Sequence, residues 1–355
     1  MKVAALQMVS SPHVADNLAQ ARTLLEQAAQ LGAELAVLPE YFSTMGMRDS
    51  DKLALAEAFG HGAAQDFLAR SARELGLWIV GGTLPLGCTE SGDAERVRNS
   101  SLVYSPAGEC VARYDKIHLF RFDNGREHYD EGNTIEAGAA PVQFDLSDSS
   151  GHTWRVGLSV CYDLRFPELY RQHARAGADL LLVPSAFTYT TGQAHWELLL
   201  RARAVENQAY VLASGQGGVH DNGRHTWGHS MAIDPWGEVL AVQAQGAGVV
   251  LSDITTERVQ QVRGLQLAVP FISNLPAAGQ VTVQPRLAFA LNGSAFGSQA
   301  EALPFDASQR TSATVRLSRL DLTPYLGYLP AGLPLRLQAA TVDADLKLAF
   351  EQTPR

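Results

Sequence analysis

Cys161 is the residue in this chain best placed for covalent chemistry. It directly follows the apolar, strand-like run VGLSV and precedes a polar turn and the helix start PELY, with Pro167 at an early helical position. A cysteine between strand and helix is lifted out of the core toward a cleft. Its thiol is weak at neutral pH, since a free cysteine has a pKa of about 8.5. Attack on a substrate therefore requires a base to take the proton or a cation to stabilise the thiolate. Two charged residues stand at the ends of other apolar runs: Glu40 closes AVLPE, and Lys116 follows the strand-like RYD. Taken singly, each is an ordinary solvated strand terminus. Taken with Cys161, they line the one crevice that the carboxyl ends of strands share in a parallel-rich α/β sheet.

The elements that must position these residues are legible as alternating strands and helices. Residues 2–9 and 35–38 read as strands, 16–31 as a helix closed by Gly32, and 54–75 as a second helix closed by Gly76. A strand at 77–80 and a hairpin of 98–104 with 109–114 come next. Residues 115–138 read as a loop. Beyond Cys161, a helix at 166–176, a buried strand at 180–183, a long helix at about 194–207, a strand at 209–213 and a hairpin around Pro235-Trp236-Gly237 complete a layered α/β domain. From residue 274 on, no amphipathic helix is evident. Residues 311–322 and 333–350 alternate in β fashion instead, which predicts a small β-rich segment over 270–355 after a domain of 1–269.

Composition narrows the function classes. The chain has 355 residues, enough for two domains, and a formal net charge of -9, which argues against general nucleic-acid binding. Three cysteines, Cys88, Cys110 and Cys161, make neither a disulfide framework nor a zinc pattern. The N-terminus does not read as a signal peptide, and no apolar run approaches the roughly 20 residues of a membrane span. A cytoplasmic protein with no membrane partner is the expectation.

The order of Glu in LPEYF, Lys in YDKIHLF and Cys in CYDLRFPELY resembles the nitrilase superfamily of carbon–nitrogen hydrolases, over nearly all of residues 1–267. The resemblance implies an α-β-β-α sandwich that dimerises or assembles further, and a Glu40–Lys116–Cys161 triad that needs no metal or cofactor. Glu40 is then the base, Lys116 the charge beside the developing oxyanion, and the Tyr162 backbone N–H its second donor. An accessory glutamate after the lysine falls on Glu131, with Glu127 as the alternative. Cys-Tyr-Asp at the nucleophile resembles the amidase branches rather than true nitrilases. PSAF, the segment at 191–211 and GHSMAIDPWGEVLA resemble the Nit group, and GQGG at 215–218 is closer to its deaminated-glutathione amidases than to its omega-amidases. Both take small keto-acid amides with free carboxylates. Phe187, Thr188 and Tyr189 and also Arg165 are then the substrate grip, although Arg165 is equally an ion-pair partner for Asp163 or Glu168. At the long helix, Trp196 is read as core and Glu197 as support for Lys116 or Cys161. Cys88 and Cys110 are ordinary thiols. An inactive binding subunit is the reading from another class, and the intact triad argues against it. The C-terminal segment departs from the Nit pattern; residues 316–350 resemble a piece of AsmA-like envelope proteins.

Overall fold

The computed structural model describes residues 1–88, 96–123, 125, 128–263, 266–268, 282–291, 294–303, 306, 308, 310–321 and 341–351. These form two compact units, Met1–Thr255 and Thr256–Arg355.

In the first unit two sheets pack face to face. One is ordered Gly248–Asp253, Lys2–Gln7, Leu35–Val37, Trp78–Val80, Val97–Tyr104 and Leu84–Gly87, with Cys110–Asp115 on the other edge of Val97–Tyr104. The second is ordered Val239–Gln243, Ser230–Ile233, Tyr210–Gly215, Leu180–Ser185, Thr153–Leu158 and Gln143–Ser147. Parallel pairing runs through the middle of each, and Leu35–Val37, Leu180–Ser185 and Tyr210–Gly215 are buried from end to end, as expected where both faces are covered. The seam between the sheets is hydrogen-bonded as well as apolar: Ser214 Oγ donates to the Leu6 carbonyl, and Gln7 Oε1 accepts from the Ser230 N–H at 2.9 Å.

Helices Val14–Gln30 and Ala63–Leu75 lay Leu24, Leu25, Phe67 and Leu68 on the first sheet, and helices Pro167–Arg175 and Tyr189–Asn207 accompany the second. This is the four-layer α-β-β-α sandwich. The expected helix over 54–75 is two pieces, Asp51–Ala54 and Ala63–Leu75. Gly60 and Gly62 take positive φ between them, and the distant Glu57 carboxylate accepts from the Ala64 N–H at 2.7 Å, so the second piece starts afresh there. The long helix begins at Tyr189, five residues earlier than expected. Strands Leu84–Gly87 and Gln143–Ser147 were not anticipated, and the loop at 115–138 contains short strands Arg121–Asp123 and His128–Asp130 and a turn of 3-10 helix, Glu131–Asn133.

In the second unit, Gln266–Ala268, Arg286–Leu291, Ser294–Ala302, Thr311–Asp321 and Thr341–Phe350 form one antiparallel five-stranded sheet in sequence order. Its β character is as expected. Residues 269–281, where a boundary between domains was expected, lie outside the described residues. No described helix is long and apolar enough to cross a membrane.

Candidate active site

Each chemistry-bearing residue sits just beyond the carboxyl end of a strand. Glu40 is three residues past Leu35–Val37, Lys116 directly follows Cys110–Asp115, and Cys161 is three past Thr153–Leu158. The chain after Glu40 turns sharply, with Tyr41 at φ 59° and its N–H donating to Thr83 Oγ1 at 2.9 Å. Gly82 makes this turn feasible: a Cβ there would lie 1.9 Å from the Pro39 carbonyl oxygen, so no larger residue lets the two backbones meet. Cys161 is itself left-handed, at φ 51°, and opens a 3-10 turn, Cys161–Arg165. A cysteine held in that region marks a functional turn rather than a relaxed one.

Asp163 pins the turn and was read from sequence only as a partner for Arg165. It is fully buried. Its Oδ2 accepts from the Val160 N–H at 2.8 Å and the Tyr114 hydroxyl at 2.6 Å; its Oδ1 accepts from the His118 N–H at 3.0 Å and lies 2.7 Å from His118 Nδ1. One carboxylate thus ties the cysteine turn to both sides of Lys116, fixing nucleophile and cation relative to each other.

Lys116 is completely buried. Its Nζ donates to Glu40 Oε1 at 2.9 Å and to Glu131 at 2.8 and 3.0 Å. Glu40, also fully buried, accepts in addition from Asn99 Nδ2 and from the Ala186 N–H, both at 2.9 Å, and its charge acts on the Cys161 thiol. Glu131 takes the Tyr41 hydroxyl at 2.8 Å and the Phe120 N–H at 2.7 Å. The structure therefore brings Glu40, Lys116, Cys161 and Glu131 together. Glu127 lies outside the described residues.

The electrostatics define the resting state. Burial, and after it the negative charge of Glu40, push the Cys161 thiol well above the ordinary cysteine value. Burial also opposes the charge on Lys116, but Glu131 and Glu40 outweigh it and raise the ammonium above its usual value. Burial likewise disfavours the Glu131 carboxylate, yet Lys116 holds it below its usual range. The site rests as a neutral thiol beside a fixed cation and a carboxylate whose charge acts on both. Tyr162, second in the 3-10 turn, has a backbone N–H with no intrahelical acceptor, available to an oxyanion.

Cys161 opens into a narrow pocket of about 10 Å³, lined by Phe120, Arg165, Phe187, Thr188, Thr191 and Arg224 among others. Among the described residues Arg165 makes no ion pair. Its guanidinium stacks over Tyr162 and Phe187, at 5.7 and 5.5 Å from the ring centroids, and lies 3.4 Å from His195 Nδ1. Thr188 caps the long helix by accepting from the Thr191 N–H. Trp196 is core, donating Nε1–H to the His229 carbonyl at 2.8 Å. Glu197 does not support the triad: its side chain is 59% exposed and pairs with Arg201 one turn on. Trp196, Leu200, Arg203 and Ala204 take the buried face of the helix, which leaves position 197 on the solvent face. Asn99, Tyr41 and Arg224 had no sequence signal, because nothing local distinguishes them from ordinary strand or loop residues. Among the described residues, no group of three or more His, Cys, Asp or Glu is arranged to hold a metal ion.

A glutamate, a lysine and a cysteine brought together at strand ends of a double-sheet sandwich define a thiol hydrolase site, and the chain belongs to the carbon–nitrogen hydrolase family, whose profile matches residues 2–264. It is 43% identical over 262 residues to the deaminated glutathione amidase of Synechocystis sp., covering 73% of this chain and 93% of that one. It is 36% identical over 264 residues to the human omega-amidase, covering 74% and 91%. Among solved structures it resembles Saccharomyces cerevisiae Nit3, a member of branch 10 of the nitrilase superfamily, with a TM-score of 0.66 and 29% identity over 77% of this chain and 95% of that one.

Proposed function

We propose that this carbon–nitrogen hydrolase cleaves the amide of deaminated glutathione through a thioester on Cys161. The observation that carries this reading is the buried charge of Glu40, which bonds Lys116 and acts on the Cys161 thiol. As the thiol attacks the amide carbonyl, its proton passes to Glu40. The oxyanion forms beside Lys116 and the Tyr162 N–H. The C–N bond breaks as Glu40 returns the proton to the leaving amine, and water, deprotonated by the same carboxylate, then releases the acid and restores the thiol. Glu131 keeps Lys116 charged and oriented. Arg165, packed on Phe187 beside Thr188, takes the carboxylate of the acyl half.

The choice of substrate is supported by the likeness to deaminated glutathione amidases and by the segment Ser214–Gly218. There Gln216 Nε2 donates to the Glu40 carbonyl at 3.1 Å, so this segment bears directly on the base. Turnover of 2-oxoglutaramate in preference is the second reading, favoured by the likeness to the human omega-amidase. Comparing kcat/KM for the two amides decides between them, and no nitrile should be hydrolysed. A homodimer or higher homo-oligomer is supported by Leu198, Val205 and Trp236, large apolar side chains exposed on the long helix and the hairpin beside it. A cytoplasmic location is supported by three free cysteines. We assign catalysis to residues 1–269 and none to 270–355, whose likeness to AsmA-like proteins brings no activity with it.

A further inference from the structure

The cavity that holds Cys161 is not the only space at this site. On the other side of Arg224 lies an open groove of about 420 Å³, lined by Tyr41, Met45, Arg48, Lys52, Asn222 and Arg224 among others. Arg224 belongs to both spaces. It is held by its Nη2, which donates to the Ala186 carbonyl at 2.8 Å, and by its stack over Tyr129. Its Nε is covered from solvent and has no hydrogen-bond partner among the described residues. A buried guanidinium N–H without an acceptor is costly. No carboxylate pairs with Arg224 among the described residues. Lys52 lies in the same groove with only 12% of its side chain exposed, its ammonium 5.6 Å over the Tyr41 ring. Among the described residues its one carboxylate contact is Asp49, at 3.7 Å and two-thirds exposed. Burial lowers the Lys52 pKa; the charges of Asp49 and Glu131 oppose this only in part, and those of Arg224 and Lys116 add to it. Two poorly compensated cations thus face a groove whose floor, Tyr41, is hydrogen-bonded to Glu131 of the catalytic network.

An amide has two halves, and the site offers two spaces. Arg165 serves the acyl half beside the thiol. We propose that the groove receives the leaving-group half, and that Lys52 and Arg224 bind the carboxylate at its far end. The ligand class is an amide carrying a carboxylate on each side of the scissile bond. This rests on the function proposed above: deaminated glutathione has a keto acid on the acyl side and a Cys-Gly leaving group ending in a carboxylate. Two extended residues reach about 7 Å at most, which suits a groove adjoining the thiol cavity. Ammonia, the leaving group of 2-oxoglutaramate, makes no use of the groove, so the groove favours the larger amide.

The test compares deaminated glutathione with the same molecule amidated at its glycine carboxylate, leaving the scissile bond unchanged. For the wild-type enzyme, amidation should lower kcat/KM by roughly 10- to 100-fold, mostly through KM, the effect of losing charge-assisted contacts. In Lys52→Met the ratio between the two substrates should shrink toward one. Equal use of both substrates by the wild type would overturn the proposal while leaving the function intact. So would an undiminished ratio in a folded Lys52→Met enzyme. Hydrolysis of neither substrate by the wild type would remove the functional reading and this subsite with it. The wild-type comparison stands even if the variant fails to fold.

Discussion

Ion pairs occur in both units of this chain, and burial gives them opposite meanings. In the second unit Arg316 and Asp345 face each other across neighbouring strands at 3.4 Å, with side chains 74% and 57% exposed. Such a pair is worth about 0–1 kcal/mol and is screened by salt. In the first unit Lys116, itself fully buried, meets two carboxylates at shorter distances, 2.9 and 2.8 Å, with side chains 1% and 13% exposed. Burying those charges opposes folding unless every one is paired, and removing one partner strands the others. The exposed pair reads as ordinary surface; the buried network is kept at a cost to stability because it does chemistry. The surroundings agree. The sandwich buries Leu180–Ser185 and Tyr210–Gly215 throughout, whereas the last strand of the second unit's sheet leaves Leu346, Leu348 and Phe350 more than half exposed.

The sharpest way to break this contrast is at the nucleophile. Cys161→Ala should abolish turnover with the melting temperature retained, whereas Cys88→Ala and Cys110→Ala should keep most activity. Steady-state assays and thermal melts on the three variants check this. Next come the partners. Glu40→Gln keeps the shape of the side chain but removes the base, and should cost kcat on the order of 10²-fold or more. Lys116→Met should do likewise by removing the oxyanion charge, and should destabilise the fold as well, because Glu40 and Glu131 are left buried together. A change confined to KM in either variant would refute its assigned role.

A smaller effect is expected at Asp148, a carboxylate away from the site. Burial would raise its pKa, but hydrogen bonds from Ser150, Trp154 and His152 outweigh it and hold the group at about 2. The folded value lies below the unfolded one of about 3.9, so the stabilisation is present above pH 4 and is lost as pH falls through 2. Asp148→Asn should lower Tm by about 2–4 °C at pH 7, with the gap to wild type closing between pH 4 and pH 2. The smallest effect is expected from the second unit. A chain ending at residue 270 should keep kcat/KM within about twofold, since every residue assigned to catalysis precedes it. Loss of activity on that truncation would show the contrast between the units to be wrong.

The strands of the sandwich were readable because buried parallel strands are short apolar runs, and the triad was readable because two charged residues and a cysteine follow three strand-like runs. Glu131 was readable only through family resemblance, since its carboxylate reaches Lys116 from a loop whose path no periodicity encodes. Asp163 was misjudged because its partners, Tyr114 and His118, lie more than forty residues earlier and reach it only in the folded chain. Glu197 was misplaced because its neighbours Trp196 and Leu200 take the core-facing side of the helix, which turns position 197 to solvent. Arg224 carries no pattern at all. Its importance lies in an unsatisfied N–H and two adjoining spaces, which are properties of the folded molecule.

The central claim is that Cys161 carries the acyl group. The most direct measurement is intact-protein mass spectrometry of rapidly quenched Glu40→Gln enzyme mixed with deaminated glutathione, followed by peptide mapping. A mass increase equal to the keto-acid acyl group, located on the peptide containing Cys161 and absent from Cys161→Ala, is the predicted result. An acyl group found on Cys88 or Cys110 instead, or turnover by Cys161→Ala at the wild-type rate, would contradict it.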